Sequence, residues 1–199
     1  MKHTYSGSGI LVIDTFNNIP CVILFTKNNN KANDLGGSVD KKDKNDPDYI
    51  EKTAIREARE ESCNVIQIRS VQILKQLPFI DIPHNTTYYR CYILYLRHPF
   101  PSQAYYHNLK ILLDNKSPLH LLETNNFVRI RLDELMNCYI TNKKYTKCLS
   151  VIGEEIYLKN RVRSVIASMF KSKPILLPMS GDLHGDPSIA NTLALLIQK

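Results

Sequence analysis

The run Thr53-Ala54-Ile55-Arg56-Glu57-Ala58-Arg59-Glu60-Glu61-Ser62 constrains this chain more than any other stretch. It lacks Gly and Pro and is rich in good helix formers, so it reads as a helix. Each helical residue turns about 100°. With Glu57 at zero, Glu60 falls near about −60° and Glu61 near about +40°, which puts three carboxylates on one face. Ala54, Ala58, Ile55 and Val65 form a small apolar face beside them, and Arg59 points away. Arg56 precedes Glu60 by four residues and can reach its carboxylate. The carboxylates repel one another, and the Glu57–Glu61 contact alone costs a few tenths of a kcal/mol, roughly. A solvated helix surface tolerates this. A hard divalent cation reverses it, because magnesium takes oxygen ligands and bridges carboxylates to substrate phosphates. The Gly36-Gly37 pair upstream and the small alanines favour the second reading.

Around this segment, residues 7–13 and 20–26 read as strands joined by a turn at Asn17-Asn18. Residues 35–40 read as a glycine-bearing turn or short strand. Asp46-Pro47 has the pattern of a helix start, with Asp as cap and Pro in the first turn, and the helix is expected to end near Ser62. Residues 65–77 read as one or two strands. Residues 86–96, aromatic and β-branched, form the strongest strand in the chain. A short helix is expected over 105–115, a strand over 126–131 and a helical turn over 132–136. Residues 153–171 read as an amphipathic helix, with Ile156, Val162, Val165, Ile166 and Phe170 at helical spacing. Strands and helices mix without strict βαβ alternation, so the expected class is α/β, a mixed sheet flanked by helices. Residues 173–199 read as an extension packing on a domain of residues 1–172. Within it, Gly181-Asp182-Leu183-His184-Gly185 resembles a metallophosphatase ligand motif but lacks that motif's companions, and reads as a polar turn.

The central segment resembles the Nudix box, G-x5-E-x7-R-E-U-x-E-E-x-G-U, where U is a bulky aliphatic residue. Arg56-Glu57-Ala58-Arg59-Glu60-Glu61 matches its R-E-U-x-E-E core, with Ala in the U place, and Leu35-Gly36-Gly37-Ser38-Val39-Asp40 is similar to its opening. The resemblance covers about residues 35–66. It implies an α/β/α sandwich with a mixed sheet over roughly residues 5–172. It further implies hydrolysis of a phosphoanhydride bond with Mg²⁺ or Mn²⁺ as cofactor. Glu57, Glu60 and Glu61 would bind the metal, the Gly36 carbonyl would be a further ligand, and Arg56 would orient a glutamate. Residues 122–135 are similar to a downstream stretch in many members, which makes Glu123 either an extra ligand or general base, or a plain surface glutamate. The chain also departs from the box. Cys63 replaces the glycine after E-E-x, so the helix must end differently, with Asn64 taking the left-handed position. The segment between Gly37 and Arg56 is about five residues longer than the box allows, which leaves Asp43, Asp46 and Asp48 as alternatives for the upstream acidic position.

Composition bounds the partners. With 43% hydrophobic and 23% charged residues the 199-residue chain can bury a core, which excludes disorder as its default state. A net charge of +7 favours anionic partners, either nucleotides and other pyrophosphate-containing substrates or RNA. Gly37, Lys41 and Lys42 beside the box are candidates to contact substrate, the lysines having a solvated surface as their other reading. Tyr89, in the tyrosine-rich strand, is either a stacking platform for a base or part of the sheet's packing. The five cysteines lack metal-ligand spacing and read as free thiols in a reducing compartment. No apolar run is long enough to be a signal peptide or to span a bilayer, so a cytoplasmic location is expected. The substrate alternatives are a nucleoside diphosphate linked to another moiety, the cap of mRNA (decapping) and a diphosphoinositol polyphosphate. The non-enzymatic alternative is a silent nucleotide- or RNA-binding domain.

Overall fold

A computed structural model describes residues 4–26, 31–118, 124–141 and 147–171. Strands β1 (Tyr5–Phe16) and β2 (Ile19–Thr26) form a hairpin, in which Phe16 faces Ile19 across a two-residue turn. Asn17 and Asn18 both take positive φ, 51° and 60°, as the tightest hairpin turn demands. Strands β3 (Lys31–Asn33) and β4 (Leu35–Ser38) follow, then a 3-10 turn over Lys41–Asp43 and helix α1 (Tyr49–Glu61). Next come α2 (Val71–Lys75), β5 (Phe79–His84), β6 (Thr87–Tyr95) and α3 (Ser102–Asp114). The rest comprises β7 (Asn126–Arg131), α4 (Leu132–Thr141), β8 (Lys147–Leu149), β9 (Glu155–Leu158) and α5 (Asn160–Lys171).

The nine strands of the described residues belong to one mixed sheet, ordered β5-β6-β1-β2-β3-β9-β8, with β4 paired to β1 and β7 to β2. β1 runs parallel to β6, and β3 parallel to β9. β1 and β2 carry continuous apolar runs because both sheet faces are covered. Leu11, Ile13, Val22 and Leu24 pack with Leu135 of α4 and with Val162, Val165 and Ile166 of α5. Ile10, Val12, Ile23 and Phe25 pack on the other face with Ala54 and Ala58 of α1 and Tyr105 of α3. The result is the expected α/β class, with helices on both faces of a mixed sheet. Among the described residues no helix is long and apolar enough to cross a membrane.

β1 and β2 do not stay together. β1 pairs with β2 from Val12 to Phe16, but from Gly7 to Ile10 it pairs with β4 instead. β2 in turn pairs with β3 at Phe25 and Thr26. The β3–β4 segment therefore fills the wedge where the hairpin strands diverge, and Asp34 lies at its centre.

Two stretches differ from expectation. Residues 65–77 are not strands. The Ser70 hydroxyl accepts from the Ile73 N–H at 3.3 Å, and this cap starts the short helix α2. Residues 153–171 are not one helix. Gly153 turns the chain at φ +83°, β9 pairs with β8 and β3, and Ile156 fills the core from a strand. The helical turn expected at 132–136 extends to Thr141. Residues 173–199, with the Gly181–Gly185 motif, lie outside the described residues.

Candidate active site

Helix α1 begins two residues later than Asp46-Pro47 suggests. Asp46 shapes the approach instead, its Oδ1 accepting from the Asp48 N–H at 2.8 Å. At the other end Cys63 and Asn64 both adopt left-handed backbone, at φ 51° and 61°. Asn64 was expected to do so alone. The Cys63 position, where the box carries glycine, therefore does need positive φ, and a side chain there stores about 1 kcal/mol of strain. Asn64 stabilises the turn: its N–H donates to the Arg59 carbonyl at 2.8 Å, and its Oδ1 accepts from Arg59 Nε at 3.0 Å.

The structure brings Arg56, Glu57 and Glu60 together. Arg56 Nη2 is 2.8 Å from Glu57 Oε1, and Nη1 is 3.0 Å from Glu60 Oε2. The same guanidinium donates to the Ser38 carbonyl at 3.3 Å and lies 3.9 Å from Asp40. Burial works against the Arg56 charge, yet Glu57 and Glu60 outweigh it and raise its pKa. Glu57 rests on β4: a methyl group on Gly37 would come within 2.5 Å of its carboxyl carbon. Gly37 thus makes room for a glutamate.

Glu61 turns inward. Its Oε2 accepts from the Gly36 N–H at 2.7 Å, and the residue is only 7% exposed. Burial, then the nearby charges of Asp34 and Glu57, push its pKa up to about 8, against the lowering effects of the Gly36 hydrogen bond and Arg161. Its backbone carbonyl accepts from the Thr124 hydroxyl, which also bonds Tyr105 Oη at 3.2 Å. Glu123 lies outside the described residues, but its neighbour Thr124 is thereby fixed to the end of α1.

Spacing gave no hint of the group beneath. Arg161 of α5 reaches across to donate to the Asp34 carboxylate at 2.9 Å and to the Gly36 carbonyl at 2.6 Å. Tyr89 Oη donates to the other Asp34 oxygen at 2.7 Å, and the Arg161 guanidinium lies 4.5 Å from the Tyr89 ring centre. Two expectations bear on this group. Tyr89 is 6% exposed with its hydroxyl committed to Asp34, so it is packing and not a stacking platform. The Gly36 carbonyl is held by a guanidinium, and a divalent cation on the same oxygen would face that positive charge. Gly9 and Gly36 allow the arrangement, since a methyl group on either would meet Tyr89 Oη at about 2 Å and backbone atoms within 2.9 Å. Gly9→Ala is expected to destabilise the protein by about 2–3 kcal/mol through this overpacking, read from urea unfolding midpoints.

Lys41 and Lys42 are exposed on the 3-10 turn that follows β4. Of the three upstream acids, Asp46 pairs with Lys52 and Asp48 with Lys75, while the Asp43 side chain lies outside the description. Asp40, which was not among them, is the one beside Arg56.

Among the described residues, no three His, Cys, Asp or Glu side chains stand close enough to hold a metal ion. The donor chemistry nevertheless suits a hard cation. Glu57 and Glu61 are poorly solvated carboxylates, and like charge helps to keep Glu61 protonated. A cation bound between them would relieve that repulsion.

No protein-family model matches this sequence, and comparison with curated proteins finds no match.

Proposed function

We propose that this chain is a Nudix-type hydrolase that uses Mg²⁺ or Mn²⁺ to cleave the phosphoanhydride bond of a nucleoside diphosphate linked to another moiety. The observation that carries the reading is the seating of Glu57 and Glu61 on the two glycines of β4, with Glu60 tied to Glu57 through Arg56. Arg56 grips Glu57 and Glu60, Gly37 makes room for Glu57, and the Gly36 N–H holds Glu61.

Glu57, Glu60 and Glu61 would hold the metal. When bound, it supplies polarisation of a phosphoryl oxygen and neutralises charge developing on the leaving group. Arg56 fixes the directions of the Glu57 and Glu60 carboxylates, so less reorganisation is needed as charge develops. The Gly36 N–H positions Glu61. Glu123 is the candidate to take the proton of the attacking water, and its sequence neighbour Thr124 donates to the Glu61 carbonyl. Lys41 and Lys42, on the turn after β4, would attract the substrate's phosphates.

The net charge of +7 favours a second reading, hydrolysis of the cap of RNA, whose binding would weaken steeply with salt. The test is product release from ADP-ribose, dinucleoside polyphosphates, nucleoside triphosphates, a diphosphoinositol phosphate and capped RNA, with and without Mg²⁺ or Mn²⁺. At least one substrate is expected to turn over only with metal, and Glu60→Gln to lower kcat roughly 10²-fold. The absence of both turnover and calorimetric metal binding would overturn the enzymatic reading in favour of a binding domain.

A further inference from the structure

The segment between Gly37 and Arg56 is longer than the box requires, and its added length has a structural consequence. After the 3-10 turn, Lys44, Asn45 and Asp46 line one side of a half-open pocket of about 510 Å³, bordered on the other by Tyr5 of β1 and by Tyr49 and Ile50 of α1. That volume lies within the roughly 300–1,000 Å³ range of small-molecule sites.

The cavity has a definite chemistry. Tyr49 is half-buried, and its hydroxyl accepts from the Tyr5 N–H at 3.4 Å, which holds the ring at the wall. Ile50 adds an apolar surface. Asn45 offers both a donor and an acceptor, and Lys44 offers three donors. Lys44 is exposed and makes no ion pair recorded among the described residues, whereas Lys52 and Lys75 are committed to Asp46 and Asp48. Asp46 is held by Lys52 and by the Asp48 N–H, so its carboxylate is a fixed acceptor on the wall. An aromatic ring beside donors and an acceptor matches a flat ring with a polar edge.

The cavity also lies at a useful distance. Ile50 and Glu57 are seven residues apart on one helix, which spans about 10 Å along its axis. A ribose and its phosphates bridge a separation of that order. We propose that this cavity binds the nucleobase of the substrate, so that the lengthened loop before α1 is the specificity element of the enzyme. The proposal rests on the phosphoanhydride reading for its orientation, but the binding can be measured without turnover.

The experiment is calorimetric titration of the full chain, with Mg²⁺ present, using GMP, AMP, UMP and ribose 5-phosphate as probes. At least one nucleoside monophosphate is expected to bind about fivefold or more tightly than ribose 5-phosphate, since a base on an aromatic face contributes on that scale. Tyr49→Ala is expected to abolish the difference, and Tyr49→Phe, which keeps the ring, to retain it. Lys44→Ala, an exposed change that leaves the fold intact, is expected to weaken the preferred monophosphate and to raise KM for a hydrolysed nucleotide at unchanged kcat. Ribose 5-phosphate binding as tightly as every monophosphate, no binding of any monophosphate, or a preference untouched by both Tyr49→Ala and Lys44→Ala would each overturn the proposal. A base preference without hydrolysis would sink the enzymatic reading and leave the site standing. Hydrolysis with KM unaffected in Tyr49→Ala and Lys44→Ala would do the reverse.

Discussion

Asp34→Ala is expected to destabilise the protein by about 3–5 kcal/mol, and Asp34→Ala combined with Arg161→Leu by less than the single change. Asp34 is fully buried where β1 and β2 diverge, and its two oxygens are committed to Arg161 and Tyr89. Its removal strands a guanidinium and a phenol hydroxyl together. The Arg161 side chain is 27% exposed, so solvent recovers part of the loss and the ion pair alone falls at the low end of the range. The phenol adds the penalty of a buried unsatisfied donor, about 1–3 kcal/mol. The double variant leaves no buried charge behind, so a positive coupling of about 1–3 kcal/mol should emerge from urea unfolding of the four proteins. Strict additivity would show that the pair is not a unit. The consequence reaches the candidate site, because Arg161 also holds the Gly36 carbonyl and Asp34 is one of the charges that keep Glu61 protonated.

This cluster explains where sequence reading stopped. The face of α1 was legible because helical geometry alone superposes Glu57, Glu60 and Glu61, and β1, β2 and β6 were legible from apolar runs bounded by turn residues. The partners Asp34 and Arg161 are separated by 127 residues, and nothing local in either marks the other. The one local signal was an acid beside Leu35 and two residues after Ala32, just before the Gly36-Gly37 pair. Tyr89 shows the limit of composition. A tyrosine-rich strand offers rings to solvent or to the interior, and the glycines at 9 and 36, on strands that pair with each other and not with β6 alone, decided for the interior. Ile156 fell into helical phase with Val162 and Val165 by coincidence. The turn at Gly153 and the pairing of β9 with β3, 126 residues upstream in sequence, override that periodicity. The fold class survived these errors because it depends on which runs are apolar on both faces. The guanidinium on the Gly36 carbonyl was not legible in the same way, because it depends on a side chain arriving from α5.

Raising the pH from about 4.5 to about 8 is expected to remove about 3–5 kcal/mol of stability from the metal-free protein through Glu61 alone. The sign follows from the raised pKa. Below 4.5, the ordinary value, Glu61 is protonated in both the folded and unfolded states, and its contribution is fully present. Between 4.5 and about 8 the unfolded chain releases the proton while the folded chain, with Glu61 buried near Asp34 and Glu57, retains it. Stability therefore falls with pH through this window and levels off above about 8. Glu61→Gln removes the dependence while keeping an oxygen to accept from the Gly36 N–H. In EDTA the variant should match the wild type near pH 4.5 and exceed it by several kcal/mol, roughly, at pH 8. Urea unfolding of both proteins at the two pH values is the measurement, and a wild type no less stable relative to Glu61→Gln at pH 8 than at pH 4.5 would show that Glu61 ionises freely in the fold. Mg²⁺ divides the same pair of proteins a second way. If Glu61 is a ligand, adding Mg²⁺ near pH 7 stabilises the wild type with release of close to one proton, and leaves Glu61→Gln nearly unchanged. The repulsion and burial that raise the Glu61 pKa are thus the same quantity that a bound cation would relieve, and a single residue sets both.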